Sequence, residues 1–218
     1  MDVKWFVFLS LSIIIGTLLG WWRFKKIPPT WYPFIFLLTI GSLNELLSYW
    51  LTANHHSISV NNNIYVLLEA LLTLWLFYNW QIFPFRKYLF IGLFSAIIAA
   101  WLAENILRQG IYSISYYFRL SYAVLIIIFS ILINSRLIIT YRFSLLRNPV
   151  FLVCAAYILF FTYKILVEIF WLYGINASRA FRVNVYTVLA WINCFTNLIY
   201  AMAILCIPSK QPYSMLSW

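Results

Sequence analysis

Charge is scarce in this chain, and acidic charge is scarcest. Of 218 residues only 9% are charged, and five are Asp or Glu. A water-soluble domain has about 25% charged and about 45–50% apolar residues. Here the apolar share is 65%. One water-soluble core cannot hide that much apolar surface, so the solvent around most of the chain is lipid. Cysteine is scarce as well. Cys154, Cys194 and Cys206 each fall inside an apolar run, with no metal-ligand spacing and no disulfide framework, and read as small buried hydrophobes. The familiar catalytic signatures are missing: no GxSxG, no P-loop and no dinucleotide fingerprint. The two histidines, His55 and His56, are adjacent and cannot share a helix face, and no HxxxH or HExxH spacing occurs. No metal and no cofactor is therefore expected. A retinal Schiff base in the manner of rhodopsins needs a lysine in the last apolar run, which has none.

What the chain does have is a series of apolar runs about as long as a bilayer is thick. A spanning helix needs about 20 mostly apolar residues. Seven runs qualify: Trp5–Trp22, Trp31–Thr52, Asn62–Trp80, Tyr88–Leu107, Ser113–Asn134, Val150–Tyr173 and Val183–Ile207. Turn-forming residues separate them: Pro28-Pro29, Asn61-Asn62-Asn63, Pro84, Gly110, Asn148-Pro149, Gly174 and Pro208. The expected architecture is one all-α membrane domain over residues 1–218, a bundle of seven transmembrane helices. The first run does not read as a cleavable signal peptide, because its basic cluster follows the apolar stretch and no small-residue cleavage site is present. The net charge of +10 does not point to nucleic acid, because the basic residues are scattered in short clusters between apolar runs.

Those clusters set the orientation. Nine basic residues fall on one side: Arg23, Lys25, Lys26, Arg86, Lys87, Arg136, Arg142, Arg147 and Lys210. Four fall on the other: Lys4, Arg108, Arg179 and Arg182. Lys and Arg concentrate on the cytoplasmic side, so the N-terminus is expected outside and the C-terminus in the cytoplasm. Trp and Tyr gather near the span ends, among them Trp21, Trp22, Trp31, Tyr32, Trp50, Trp80 and Trp171, as interface anchors do.

Six ionisable residues lie within the spans: Glu45, Glu69, Glu104, Arg119, Lys164 and Glu168. Each costs roughly 2.5–3.5 kcal/mol at mid-bilayer on insertion scales. The expected orientation puts all six in the outer half. Residues at i, i+3, i+4 and i+7 share a helix face. The face holding Glu69 in span 3 also holds Asn62, Tyr65 and Thr73. Span 6 gives Tyr157, Phe161, Lys164, Glu168 and Trp171. Span 7 gives Tyr186, Asn193, Asn197 and Tyr200, and span 5 gives Tyr112, Ser115, Arg119 and Tyr122. Aromatic walls with a few placed polar groups are how ligand pockets are built. A polar and ligand-binding network is therefore expected among Glu45, Glu69, Glu104, Arg119, Lys164, Glu168, Tyr65, Asn193 and Asn197. Lys164 one turn before Glu168 is the less favourable order for a pair within one helix. Lys164 is thus expected to seek a carboxylate on another span, Glu69 or Glu45. The plainer reading is packing glue, since interhelical polar contacts in membranes average roughly 0.6 kcal/mol.

Spans 1–3 and 5–7 share landmarks. Ile13-Ile14-Ile15 precedes Arg23 at the spacing with which Ile126-Ile127-Ile128 precedes Arg136. Pro33 opens span 2 and Pro149 opens span 6, although the Pro-to-Glu spacings, 12 and 19 residues, differ. A 3+1+3 plan of two parallel repeats follows, which resembles the architecture of the sugar-transporting SWEET proteins. Asn44-Glu45 in span 2, with Asn62-Asn63-Ile64-Tyr65 and Glu69 in span 3, resembles small uncharacterised seven-span proteins of Bacteroidota-type bacteria. That resemblance covers about 40 residues and implies a bacterial inner-membrane location without an activity.

Four functions remain open. A sensor or receptor-like module explains a one-sided polar cluster. It would bind a small molecule and signal through a partner protein, because the loops and tail are too short for an output domain. A small-solute transporter fits the repeat, and a proton-coupled form would titrate Glu69 or Glu45. A membrane enzyme acting on lipid or isoprenoid would use paired carboxylates, although no nucleophile accompanies them. The fourth is a structural subunit of a membrane complex. The expected partners are the lipid bilayer, a small-molecule ligand and a membrane or cytoplasmic protein.

Overall fold

In lipid, a backbone N–H or C=O finds no water to bond, so long apolar runs must satisfy their own backbone and do so as helices. The computed structural model describes residues 8–80, 87–108, 110–140, 145–173 and 178–209. Among the described residues the long elements are all helices: α1 (Ile13–Arg23), α2 (Tyr32–Ala53), α3 (Ser59–Asn79), α4 (Lys87–Leu102), α5 (Tyr116–Thr140), α6 (Pro149–Leu172) and α7 (Arg179–Cys206). Six helical stretches are long and apolar enough to cross a membrane: Pro29–Ala53, Ser59–Asn79, Lys87–Arg108, Tyr116–Thr140, Pro149–Leu172 and Ala180–Cys206. The expected first span, Trp5–Trp22, is represented by α1, whose 11 residues rise about 16 Å at 1.5 Å per residue. Residues 8–10 are helical too, and a turn at 11–12 separates them from α1. Trp5, Lys4, Pro84, Arg86, Arg142, Gly174 and Lys210 lie outside the described residues.

Local chemistry sets the helix ends. Pro149 takes the first helical position of α6, where its missing N–H is no loss. Asn148 caps the same end, its side-chain oxygen accepting from the N–H groups of Val150 and Phe151. Ser178 caps α7 by accepting from the N–H of Phe181 at 3.0 Å. At its other end α7 finishes against α1. The Arg23 guanidinium donates to the carbonyls of Ile204, Leu205 and Ile207 in the last turn, where helical donors run out and Ile204 keeps only a 3.3 Å bond from the Ile207 N–H. Arg23→Ala should therefore cost about 2 kcal/mol of stability, since hydrogen bonds from charged donors contribute roughly 1.5–3 kcal/mol. Arg23→Lys should recover only part of that, because one ammonium cannot span three carbonyls. A full rescue by Lys in thermal unfolding would mean that charge at the helix end, and not the fork of donors, is what matters.

Contacts between helices close a ring. α1 packs on α2, α2 on α3, α3 on α5, α5 on α6, α6 on α7, and α7 returns to α1. α4 stands outside this ring against α3 and α5. Its only buried residue is Ile97, as suits a helix that is apolar on all sides. The last turns of this stretch, Ala103–Arg108, widen into a π-helix. That insertion turns two neighbouring residues, Glu104 and Asn105, into the protein together.

The exterior is greasy and the interior mixed. Leu43, Trp50, Ile128, Leu132, Trp191 and Phe195 are exposed, whereas Asn63, Glu69, Thr73, Ser130 and Asn197 are buried. Such a surface is unfavourable in water and suits hydrocarbon. Successive helices with short connections alternate in direction. One end of the bundle thus carries the α2–α3 connection and the start of α5. The other carries exposed Lys25, Lys26, Lys87, Arg136 and Arg147.

Candidate functional site

Inside the ring, charge is organised around two ion pairs. Glu69, on α3, receives three donors. Tyr65, one turn earlier, donates to Oε1 at 3.0 Å. Lys164 of α6 donates to Oε2 at 3.1 Å, and Tyr122 of α5 donates to the same oxygen. Lys164 also donates to the Tyr122 hydroxyl at 2.5 Å. Three aromatic rings, Tyr122, Phe160 and Phe161, stand 5.2–5.4 Å from its nitrogen. Of the two carboxylates expected as its cross-span partner, Glu69 is the one it meets. The second pair joins Arg119 of α5 to Glu168 of α6 at 3.4 Å. Thus Lys164 and Glu168, one turn apart on α6, reach in different directions, to α3 and to α5. Side-chain exposures of 8–13% across both pairs put all four groups out of bulk solvent.

Above these pairs lies a cavity of about 630 Å³. All six ring helices or their leading segments line it. α2 contributes Asn44, Glu45, Ser48 and Tyr49, and α3 contributes Asn62, Tyr65 and Glu69. Tyr116 and Arg119 come from α5, Lys164, Glu168 and Trp171 from α6, and Tyr186 and Asn193 from α7. Ser10, Leu11 and Ile13 close it beside α1. Exposed Thr52, Ala53 and Ile58 form its rim. The cavity therefore lies at the end of the bundle opposite Lys25, Lys26, Lys87, Arg136 and Arg147, and exposed Arg108 and Arg182 lie at its own end. Gly41 shapes its wall, because the helix passes so close that an added Cβ would stand 2.6 Å from the Ile13 side chain and 3.6 Å from the Tyr65 hydroxyl.

Below the ion pairs the ring is closed by aromatics. Phe34 of α2 meets Tyr200 of α7 edge to face at 5.4 Å, and Tyr200 meets Tyr157 of α6 at 5.8 Å. Tyr157 continues to Phe77 of α3 at 6.0 Å and to Phe161 at 5.8 Å, and Phe161 reaches Tyr122 of α5 at 5.7 Å. Five helices contribute to this plug, and edge-to-face pairs are the preferred geometry of such rings. The stripes of α3, α6 and α7 are divided accordingly. Their members toward one end line the cavity, and their members deeper in the bundle (Thr73, Tyr157, Phe161, Asn197 and Tyr200) are buried beneath. Of the span 5 stripe only Arg119 lines the cavity; Tyr112 is exposed, and Ser115 is buried with its hydroxyl bonded to Asn105.

Seven residues of the expected network line the cavity: Glu45, Glu69, Arg119, Lys164, Glu168, Tyr65 and Asn193. Glu104 and Asn197 do not. The Glu104 carboxylate caps α5, accepting from the N–H of Tyr117 at 3.0 Å and of Phe118 at 2.5 Å. A carboxylate at a helix N-terminus meets both unpaired donors and the positive end of the helix dipole. Asn197 donates to the Ser12 hydroxyl at 2.9 Å, and Ser12 donates to the carbonyl of Leu9. It thus holds the turn that precedes α1.

Asn63 organises the site without lining it. Fully buried, it donates to the carbonyls of Ile111 and Ser113 at 3.1 and 2.6 Å. Its side-chain oxygen accepts from the Ser115 N–H and from Arg119, each at 3.4 Å. Its own carbonyl accepts from the Trp101 indole. The helix-face argument passes over it, because at 3.6 residues per turn Asn63 points about 100° away from Asn62. The only available signal was three consecutive asparagines at the start of an apolar run.

Helices of this length and exterior, with charge gathered inside, define a helical bundle of the multi-pass membrane type. Compared with protein-family models, curated proteins and solved structures, the chain matches none.

Proposed function

We propose that the protein binds a small molecule in this cavity and acts as a sensor or receptor-like module in the bacterial inner membrane. It would have seven spans, the first formed by α1 with the residues before it, and its N-terminus would be outside. One observation carries the reading. A cavity with carboxylates and cations in its walls opens at one end of the ring, and an aromatic plug closes the ring beneath it. The exposed basic residues at the opposite end support placing the cavity outside, by the positive-inside rule. Short connections between helices leave the signal to a partner protein.

A second reading, a small-solute transporter, draws support from the ring itself. In a 3+1+3 plan α1–α2–α3 and α5–α6–α7 would be its two halves, and the place of α4 outside the ring supports that reading.

Cysteine accessibility separates these readings. With Cys154, Cys194 and Cys206 replaced, single cysteines are placed by Glu45→Cys and Asn193→Cys in the cavity and by Tyr200→Cys in the plug. An impermeant maleimide is applied to spheroplasts and to inverted vesicles. The sensor predicts cavity labelling from the outer face only and no labelling at residue 200. Labelling of the cavity sites from both faces would mean alternating access and a transporter. No labelling from either face would reduce the ion pairs to sealed structural contacts and sink the proposal.

A further inference from the structure

We infer that the cavity takes an organic cation: an amine, primary or quaternary, with an apolar or aromatic body. This inference rests on the cavity being a ligand site.

Among the described residues, five acidic or basic side chains line the cavity: Glu45, Glu69, Glu168, Arg119 and Lys164. Two of the acids are matched, Glu69 by Lys164 and Glu168 by Arg119. Glu45 has no hydrogen bond or ion pair among the described residues, although it is only partly exposed. With all five groups ionised, the walls carry one negative charge without a partner among the described residues. A charge held in such surroundings is costly unless a proton neutralises it or a cation pairs with it. A cationic ligand is the partner the cavity lacks.

The walls suit the same ligand. Aromatic rings at Tyr49, Tyr65, Tyr116, Phe160, Trp171 and Tyr186 surround the volume, and ring faces attract cations. Glu45 follows Gly41 by one helical turn, and Gly41 lies against the Tyr65 hydroxyl. The free carboxylate is therefore on the same helix face that meets an aromatic wall. Lys164, with Phe160 of the lining and Tyr122 and Phe161 of the plug about its nitrogen, shows that the aromatic floor of the cavity already accommodates an ammonium group. An anion has no comparable place. Both cations are already engaged, and an anion entering here would face three carboxylates.

The test uses the full-length protein in detergent and isosteric probes that differ in charge. Phenethylamine and benzyltrimethylammonium are compared with neutral 2-phenylethanol and anionic 3-phenylpropionate, with tryptophan fluorescence as the readout. Saturable binding of the two cations is expected, with the neutral and anionic probes weaker by about tenfold or more. Glu45→Gln should weaken the cations by about ten- to a hundredfold. It should not lower the unfolding temperature, since Glu45 has no partner to lose among the described residues and its unpaired charge is removed. Equal binding of 2-phenylethanol, or cation affinity unaltered by Glu45→Gln, would overturn the cation assignment while the pocket stands. The cation assignment is likewise overturned if no probe binds although Glu45→Cys is labelled from outside. If that cysteine is not labelled, the pocket and the inference fall together.

Discussion

Lys164→Met is expected to destabilise the bundle by about 3 kcal/mol or more, because removing one partner of a buried ion pair leaves the other charge uncompensated. Met matches the length and greasiness of the lysine stem, so the loss reports charge and hydrogen bonding more than volume. Lys164 donates both to Glu69 and to Tyr122, and both acceptors lose a donor in the variant. Adding Glu69→Gln should return a substantial part of the stability, since the amide removes the orphaned charge and still accepts from Tyr65. The double-mutant cycle, read by thermal or denaturant unfolding in detergent, should thus give a coupling well above about 1 kcal/mol. Additive losses would show that Lys164 and Glu69 stand near each other without depending on each other.

The second large effect is expected at Asn63. Asn63→Ala removes two donors and one shared acceptor from a fully buried position and leaves the carbonyls of Ile111 and Ser113 without those donors. At roughly 1 kcal/mol net per bond, and more where a buried group is left unsatisfied, the cost should be about 3 kcal/mol. Asn63→Asp discriminates between explanations. It keeps an oxygen for Arg119 and Ser115 but turns a second oxygen toward two carbonyls. If the amide holds the 110–115 segment as described, Asp should not rescue, despite its attraction to Arg119. Wild-type unfolding of Asn63→Asp would mean that the Arg119 contact dominates and that the carbonyl bonds contribute little.

Much of the architecture was legible before any fold was known, for one physical reason. Lipid offers no hydrogen bonds, so an apolar run of sufficient length has a single stable local structure. Composition and run length alone therefore placed the helices from Trp31 onward to within a few residues, apart from α5, which runs six residues past its expected end at Asn134, and α7, which begins four residues before its expected start. The faces were legible too. The 3.6-residue period put Tyr65 with Glu69, and Lys164 with Glu168, and the cost of lone charges in lipid required them to point inward. Boundaries followed less well. The stretch expected as Tyr88–Leu107 ends in a π-helix, and nothing in the period of its residues announces the extra one.

Pairing was a different matter. Glu45, Glu69, Glu104 and Glu168 are the same chemistry at similar depth, and sequence distance does not say which helix stands beside which. The closure of α3 on α5, with α4 displaced to the outside, brings Tyr122, Glu69 and Lys164 together. The wide π turn sends Glu104 to the backbone of α5 instead of to the cavity. The same packing leaves Glu45 without a partner among the described residues. The sequence by itself determined that helices form, which of their faces turn inward, and that charge must gather there, because solvation and helical period act within each segment. Tertiary structure alone decided which charges are matched with which, because that depends on the order of helices around the ring, and neighbours in the ring are set by packing between segments.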